Sequence, residues 1–375
     1  MKLRPKLSII DHFQGVEDPR IERSKEHLLI DILTIAILAV ICGADGWVGI
    51  ETYGKAKYKW LKTFLALPNG IPSHDTFARV FARLAPEQLQ ECFLNWVRSV
   101  SRITCGEIIA IDGKSARHSF DKGQNKGAIH MVSAWASQNR LVLGQRKVDE
   151  KSNEITAIPE LLKVLELHGC IVTIDAMGTQ KQIAKQIIEQ GGDYVLALKG
   201  NQGNLFEDVR QIFAQAQSTN FQGIEHDFFQ TLDAGHGRLE KRRCWSLGQV
   251  EWLLDAQLWV GLTSIAMVES IRESDGKTSR EVRYYISSLA PDAQRTAMAI
   301  RNHWSIENPL HWVLDVAFRE DECRIRSGHA PENFALLRHL ALSILNQETT
   351  ANIGVKNKRL RAGWDDDYLL EVLAG

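Results

Sequence analysis

A sequence of 375 residues is long enough for two or three domains, or for one large core with additions. Its hydrophobic share of 44% and charged share of 24% are ordinary for a globular protein and exclude a disordered chain. The net charge of −1 excludes a general electrostatic attraction to nucleic acid, so any such contact must come from local basic clusters.

Three basic clusters occur along the chain. For each one alone, a solvated surface is the simpler explanation, because runs of charge are usually just exposed. The clusters are Lys55, Lys57, Lys59 and Lys62; Lys241, Arg242 and Arg243; and Lys356, Lys358, Arg359 and Arg361.

The most apolar run, Leu28–Cys42, contains Asp31 and Thr34 and is shorter than the about 20 residues that a membrane helix needs. It follows a segment of mixed charge, which is unlike the start of a signal peptide. The six cysteines lack the spacing of zinc ligands and suit a reducing compartment. We therefore expect a cytoplasmic protein with no membrane partner, in which this run forms a buried helix.

The first part of the chain has helical patterning. The apolar run is followed by a second helical segment, Trp47–Leu67, which the proline- and glycine-containing string Pro68–Pro72 terminates. We expect residues 1–104 to form a helical N-terminal domain.

Two further helices complete this domain. Ser73 is a suitable N-cap for the first helix, and Pro86 fits the first turn of the second. Helix, short turn and helix fit a DNA-reading module, and an ordinary helical bundle gives the same pattern. Arg79 and Arg83 fall on the polar side of the Ser73 helix, which makes them the candidate DNA contacts of this region.

From Glu107 onward, strand patterns alternate with helical ones. Short apolar runs predict buried strands, two of which end at Asp112 and Asp175. Together the elements predict a mixed α/β sheet flanked by helices over residues 105–350. The predicted elements are strands Glu107–Asp112, His130–Ser137 and Leu141–Val148, helix Ile158–Leu167, strand Cys170–Ile174, helix Lys181–Gln190 and strand Tyr194–Leu198.

Residues from about 203 to 290 interrupt this alternation. After a helical segment come two strand-like segments, Trp259–Glu273 and Glu281–Leu289, joined across Asp275-Gly276, which is a hairpin signal. Helices return from Asp292, and residues 351–375 are expected to form a C-terminal tail.

Asp112 and Asp175 each stand where a buried apolar strand ends. Ligands gather at the carboxyl ends of parallel strands, so two such strands side by side would bring both carboxylates into one space. Buried carboxylates need compensation, and a divalent cation with a preference for oxygen ligands supplies it. Two aspartates that cap turns would produce the same pattern, and the residues alone leave both explanations open.

Glu307 is the candidate third carboxylate. It lies four residues from both His303 and His311, so a straight helix would place all three on one face. Pro309 should kink or restart that helix. The nearest competitor is Asp315, which we expect to cap the helix or to pair with Arg319.

Five sequence blocks, taken in order, resemble the insertion-sequence transposases grouped with the H-repeat-associated proteins, and the likeness runs over nearly the whole chain. Five blocks in order are far more specific than any single motif. One departure is that a wider superfamily pattern has tyrosine, arginine and lysine where this chain has Ile300, His303 and Leu314. The blocks are IAIDGKSAR (109–117), VTIDAMGTQ (172–180), YVLALKGNQ (194–202), GHGRLEKR (235–242) and HWSIENPLHWVLDVAFRED (303–321).

The resemblance implies a ribonuclease H-like fold with an Asp-Asp-Glu triad, carried here by Asp112, Asp175 and Glu307. The triad would bind two Mg²⁺ ions, with Mn²⁺ as a substitute, and residues 203–290 would hold a β-rich insertion. A transposase of this kind cuts DNA at the ends of its element and then joins the freed 3′-hydroxyl to target DNA. Its partners are double-stranded DNA, both element ends and target, on which we expect a dimer.

Basic side chains near the triad are the candidates for DNA phosphate contacts, namely Lys114, Lys199, Arg301 and His303. We expect Trp304 to pack in the core, with stacking on a displaced base as the alternative. Two other functions stay open at this stage: a DNA-binding relic that no longer cuts, and a nuclease of the same fold without a role in transposition.

Overall fold

The computed structural model describes residues 8–101, 104–120, 127–148, 153–235, 238–274 and 276–374. Within these ranges the chain forms a large mixed sheet flanked by helices, as predicted. None of the helices in the described ranges has the length and apolar content needed to cross a membrane.

The N-terminal part is helical. The apolar run forms a helix in which every residue from Asp31 to Ile41 is buried. The predicted Trp47–Leu67 helix is divided, because the backbone leaves helical dihedral angles at Lys57 (φ −98°, ψ 11°). Ser73 caps its helix as predicted, accepting a hydrogen bond from the Thr76 N–H. The helices are α1 Ser8–His12, α2 Leu29–Ile41, α3 Trp47–Ala56, α4 Tyr58–Leu61, α5 His74–Arg83 and α6 Pro86–Val100.

The sheet is built from nine strands within the described residues, in the order β3-β2-β1-β4-β5-β9-β8-β7-β6. Its elements in chain order are β1 Ile108–Ser115, β2 His130–Ala136, β3 Leu141–Val148, α7 Glu154–Leu162, β4 Ile171–Ile174, α8 Lys181–Glu189, β5 Asp193–Leu198, α9 Asn204–Ser218, β6 Asp227–Gly235, β7 Arg238–Leu247, β8 Ser264–Ser274 and β9 Lys277–Ser287.

The centre of the sheet determines where the candidate carboxylates lie. β1 is antiparallel to β2 and parallel to β4, and β4 is parallel to β5. The β1–β4 register pairs Ile111 with Ile174, so Asp112 and Asp175 follow at the same level of two neighbouring strands. The predicted adjacency of these two parallel strands is confirmed.

The strands of segment 203–290 extend the main sheet and do not form a separate sheet. β9 pairs antiparallel with β5, and β8, β7 and β6 follow outward. The β6–β7 hairpin was not predicted, because most of β6 is exposed and so has no buried face to mark it in the sequence. Asp275 of the predicted hairpin turn lies outside the described residues, as do two residues of the GHGRLEKR block.

The main elements of the C-terminal part, from residue 293 onward, are helices. α12 is buried along nearly its whole length and packs against α2, α5, α6 and β3, so it joins the N-terminal helices to the sheet. The segment expected as a tail forms α13 and α14, whose buried side chains belong to the same core. These elements are α10 Ala293–His303, a π-helical segment Glu307–Trp312, α11 Val313–Phe318, α12 Ala330–Gln347, α13 Val355–Trp364 and α14 Asp366–Ala374.

Candidate active site

Asp112 is half-buried and directly follows the last β1 residue that pairs with β4, although β1 itself continues to Ser115, beyond the strand end predicted at Asp112. Burial and the nearby carboxylates of Glu307, Glu154 and Asp175 together raise the pKa of its carboxyl to about 7, against a hydrogen bond from the Gly113 N–H that lowers it. This carboxyl therefore lies where negative charge accumulates and water is scarce, which is the environment that a bound cation would relieve.

Asp175 follows the last residue of β4. Its Oδ1 accepts hydrogen bonds from the backbone N–H groups of Met177 and Gly178, at 3.0 and 3.2 Å. These bonds hold the carboxylate at the strand end. Asp112 and Asp175 line one cavity of about 400 Å³, together with Glu307.

Glu307 begins the π-helical segment. Pro309 has no N–H to donate, and the chain responds with a wider turn in which the His311 N–H bonds the Ile306 carbonyl at 3.0 Å. The predicted kink thus takes the form of a π-type turn, a feature that often marks functional sites. The turn keeps Glu307 on the cavity.

The His311 side chain lies close to two of these carboxylates, those of Asp112 and Glu307. One ligand atom from each of Asp112, Glu307 and His311 lies within 4.8 Å of the others, and His311 Nδ1 is 3.6 Å from Asp112 Oδ2. Burial and the positive charge of Lys114 are the main causes that lower the pKa of His311, to about 3, so its imidazole is neutral. Carboxylate oxygens with a neutral imidazole form a chemically suitable set of ligands for a divalent cation.

His303 is the histidine that lines the cavity with Asp112, Asp175 and Glu307. Its Nδ1 lies 3.1 Å from the Thr173 hydroxyl on β4. Burial lowers the pKa of His303 to about 4. This ring therefore already has a hydrogen-bonding partner within the protein.

Lys114 does not face the cavity as a free cation. Its Nζ lies 2.7 Å from Asp315 Oδ1 and 3.5 Å from carboxylate oxygens of Glu320 and Asp321. A phosphate contact would have to displace these partners. Asp315 thus pairs with Lys114, and the predicted pairing with Arg319 is wrong because Arg319 pairs with Glu322.

The other two basic residues predicted to contact phosphate, Lys199 and Arg301, lie in different places. Lys199 is exposed and lines the cavity. Arg301 is exposed but lies beside Asp233 of β6, at 3.7 Å, and is not among the cavity residues. The structure therefore places Lys199, and not Arg301, next to the carboxylates.

Trp304 is 42% exposed at the cavity, so the expected core packing is wrong. The Arg283 guanidinium of β9 lies over its ring, 4.4 Å from the centroid. Arg283 was missed because the hairpin that contains it was predicted without a position in the main sheet, and the β5–β9 pairing brings its strand to the cavity.

The N-terminal arginines and the basic clusters show which cations are available to a partner. Arg79 and Arg83 are exposed on α5, as predicted. In the third cluster, Lys358 and Arg359 are buried, which contradicts a solvated surface. Arg359 bonds the Val40 carbonyl and Asp45, and Lys358 bonds the Leu345 carbonyl. These two cations hold the fold together and are not available to bind DNA.

Glu154 is the neighbouring carboxylate that the sequence did not reveal. It bonds His130 at 2.6 Å, and a Cβ at residue 113 would overlap its carboxylate. The Asp-Gly pair of the first block therefore has a physical basis, since glycine leaves room for Glu154 beside Asp112. Only an N-cap signal at Asn153 marks this helix start in the sequence.

Comparisons with known proteins identify the family of this chain. Residues 103–344 match the family model described as "Transposase DDE domain", and residues 10–97 match the model described as "DDE_Tnp_1-associated".

Individual proteins show the same likeness. The chain is 44% identical over 372 residues to "H repeat-associated putative transposase YhhI" of Escherichia coli (strain K12), covering 98% of both chains. It is 44% identical over 371 residues to "Putative transposase YncI" of Escherichia coli O157:H7, covering 98% of this chain and 94% of the relative. A solved structure of the piggyBac transposase synaptic complex with hairpin DNA matches 96% of this chain and 75% of its own, with a TM-score of 0.42 and 11% identity.

Proposed function

The chain belongs to the DDE transposase family of insertion sequences, and from this premise we propose that Asp112, Asp175 and Glu307 are its catalytic carboxylates. The observation that carries the proposal is their convergence on one cavity, where the parallel pairing of β1 with β4 ends. Aspartates that merely cap turns would not need a glutamate from a distant helical segment beside them.

The proposed cofactor is Mg²⁺, as two ions, with Mn²⁺ as a substitute. The donor set fits, because three carboxylates lie on one cavity, where burial first and neighbouring carboxylates second raise the pKa of Asp112, and a cation would offset their repulsion. When bound, the ions would activate the attacking oxygen and stabilise the leaving oxygen of an in-line displacement.

The protein's own groups position the DNA. Lys199 is exposed beside the carboxylates and is the proposed contact for the phosphate being cut. Arg283, stacked on Trp304 at the same cavity, is the second cation that we propose to contact the DNA backbone. Water is the proposed nucleophile for cutting at the element end, and the freed 3′-hydroxyl is the nucleophile for joining to target DNA.

The finer architecture belongs to the same proposal. A mixed sheet of three antiparallel strands, β3-β2-β1, continued by two parallel ones, β4 and β5, supports a ribonuclease H-like core within residues 105–350. We assign the binding of element ends to residues 1–104, on a dimer of the protein in the bacterial cytoplasm. The exposed side chains of Arg79 and Arg83 support that assignment.

The test is an assay with purified protein, Mg²⁺ and DNA carrying the element's ends beside its gene. We expect a new 3′-hydroxyl at the end of the element, followed by joined products with target DNA. Binding without cutting would indicate a relic. Cutting without joined products would indicate a nuclease, and either outcome would overturn the proposed transposition chemistry.

A further inference from the structure

We infer that His311 supplies, through Nδ1, a nitrogen ligand to the ion held between Asp112 and Glu307. This inference rests on the proposed function, since it concerns the metal of the same site. It goes beyond an all-carboxylate triad, because it makes one of the two ion positions a mixed oxygen and nitrogen site.

The first support is the position of the ring. His311 Nδ1 is 3.6 Å from Asp112 Oδ2, which is too long for a hydrogen bond. The atoms are nevertheless grouped closely, because one ligand atom from each of Asp112, Glu307 and His311 lies within 4.8 Å of the others. A cation among them would be in contact with all three side chains.

The second support is the unsatisfied state of the ring. His311 is only 8% exposed, and its Nε2 is buried without a hydrogen-bond partner among the described residues. A buried polar ring with no partner costs free energy. Coordination through Nδ1 would give this buried ring a bonded partner that the described residues do not supply.

The third support is the contrast between the two histidines on either side of Glu307. His303 lies four residues before it and is bonded to the Thr173 hydroxyl at 3.1 Å. His311 lies four residues after it, within the π-helical turn, and its ring Nε2 has no hydrogen-bond partner in the part of the chain that the structure describes. His303 is therefore the matched control for any effect of removing a cavity histidine.

A nitrogen ligand has a consequence for the choice of metal. Imidazole favours transition-metal ions, whereas Mg²⁺ prefers an all-oxygen set of ligands. We therefore expect the wild-type protein to bind Mn²⁺ more tightly than Mg²⁺, and we expect His311→Asn to reduce that preference.

The direct test is pulsed electron paramagnetic resonance on Mn²⁺ bound to tag-free protein. We expect modulation from a directly coordinated ¹⁴N nucleus in wild type and in His303→Asn, and its loss in His311→Asn. In wild-type protein labelled with ¹⁵N-histidine, the modulation should change from that of ¹⁴N to that of ¹⁵N. This experiment uses no mutation, so a folding defect cannot explain its result.

A titration of Mn²⁺ measures the strength of the contact. We expect His311→Asn to weaken binding by at least about tenfold, the lower end of the range for removing a group that supports a metal ligand. A wild-type spectrum without histidine nitrogen, or a signal lost in His303→Asn instead, would overturn this inference alone. Absence of any Asp112-dependent Mn²⁺ binding would overturn the proposed metal function itself.

Discussion

At the scale of single residues, charge decides the character of the site. Asp112 has the carboxylates of Glu307, Glu154 and Asp175 near it, while Lys114, two positions along the chain, is held by Asp315. Lys114 is thus an internal counter-ion on the edge of the site. Glu307 and Asp315 consequently have different surroundings, although they lie only eight positions apart in one helical region.

This difference predicts the outcome of two matched substitutions. Glu307→Gln keeps the shape of the side chain but removes the charge that would hold a divalent cation, so cleavage of element ends should fall by several orders of magnitude. Asp315→Asn loses only part of a carboxylate cluster around Lys114 and should cut at nearly the normal rate. Melting curves of both variants control for unfolding. Normal cutting by the Glu307 variant would refute its catalytic assignment.

The raised pKa of Asp112 predicts a pH dependence of stability. Folding keeps a proton on Asp112 up to about pH 7, whereas the unfolded chain loses it near its ordinary value of 3.8. The folded state binds more protons in this window, so the free energy of unfolding of metal-free protein should decrease as pH rises from about 4 to 7, by at most about 4 kcal/mol.

Denaturant unfolding in a chelator, at several pH values, measures this effect. Asp112→Asn should remove the decrease and should be more stable than wild type near pH 7. Parallel stability curves for the two proteins would contradict the prediction. Divalent cation should restore wild-type stability at pH 7, since it binds the folded state with Asp112 ionised.

At the scale of elements, the π-helical segment Glu307–Trp312 links the sequence to the site. Proline at 309 cannot donate the ordinary hydrogen bond, and the wide turn places Glu307 on the cavity and a ligand atom of His311 within 4.8 Å of those of Asp112 and Glu307. The element therefore uses a local defect in helical bonding to arrange the two side chains.

Replacing this proline tests the role of the turn. Pro309→Ala restores an N–H and favours a regular α-helix, so the region should keep or gain stability while Glu307 and His311 shift relative to Asp112. We expect weaker Mn²⁺ binding and slower cleavage. Pro86→Ala, in the first turn of α6 where proline is well tolerated, is the control and should change neither property. Unchanged metal affinity in the Pro309 variant would show that the turn is not needed.

At the scale of the whole molecule, α12 connects the N-terminal helices to the sheet that bears the carboxylates. A protein that binds element ends on its N-terminal region would therefore hold them in a defined relation to the cavity. With a net charge of −1, such binding has to depend on exposed local cations such as Arg79 and Arg83.

Salt dependence of DNA binding checks this assignment. Arg79→Ala combined with Arg83→Ala should weaken binding to element ends and lower the slope of log affinity against log salt by about 0.9 for each lost phosphate contact. Lys181→Ala with Lys185→Ala, two exposed cations on α8, is the matched control and should leave the slope unchanged. If the α5 variant has the wild-type affinity and slope, the DNA-binding surface lies elsewhere.

The sequence by itself determined the sheet region, the strand end at Asp175, the capping by Ser73 and the family, whereas the strand predicted to end at Asp112 continues to Ser115. These features depend on local information: the length of an apolar run, the turn residues that end it and blocks of neighbouring residues. The same reasoning missed the β6–β7 hairpin, where exposure removes the local signal.

Only the tertiary structure decided which charges are available. Lys114 meets Asp315 from 201 residues away, and Arg359 meets Asp45 from 314 residues away. Likewise, Arg283 reaches the cavity, and Glu154 and His311 reach Asp112, from three separate elements. Such partners depend on how elements pack, and the free energy of a buried ion pair or ligand set comes from that packing. A run of basic residues therefore cannot show by itself whether it binds DNA or holds the fold together.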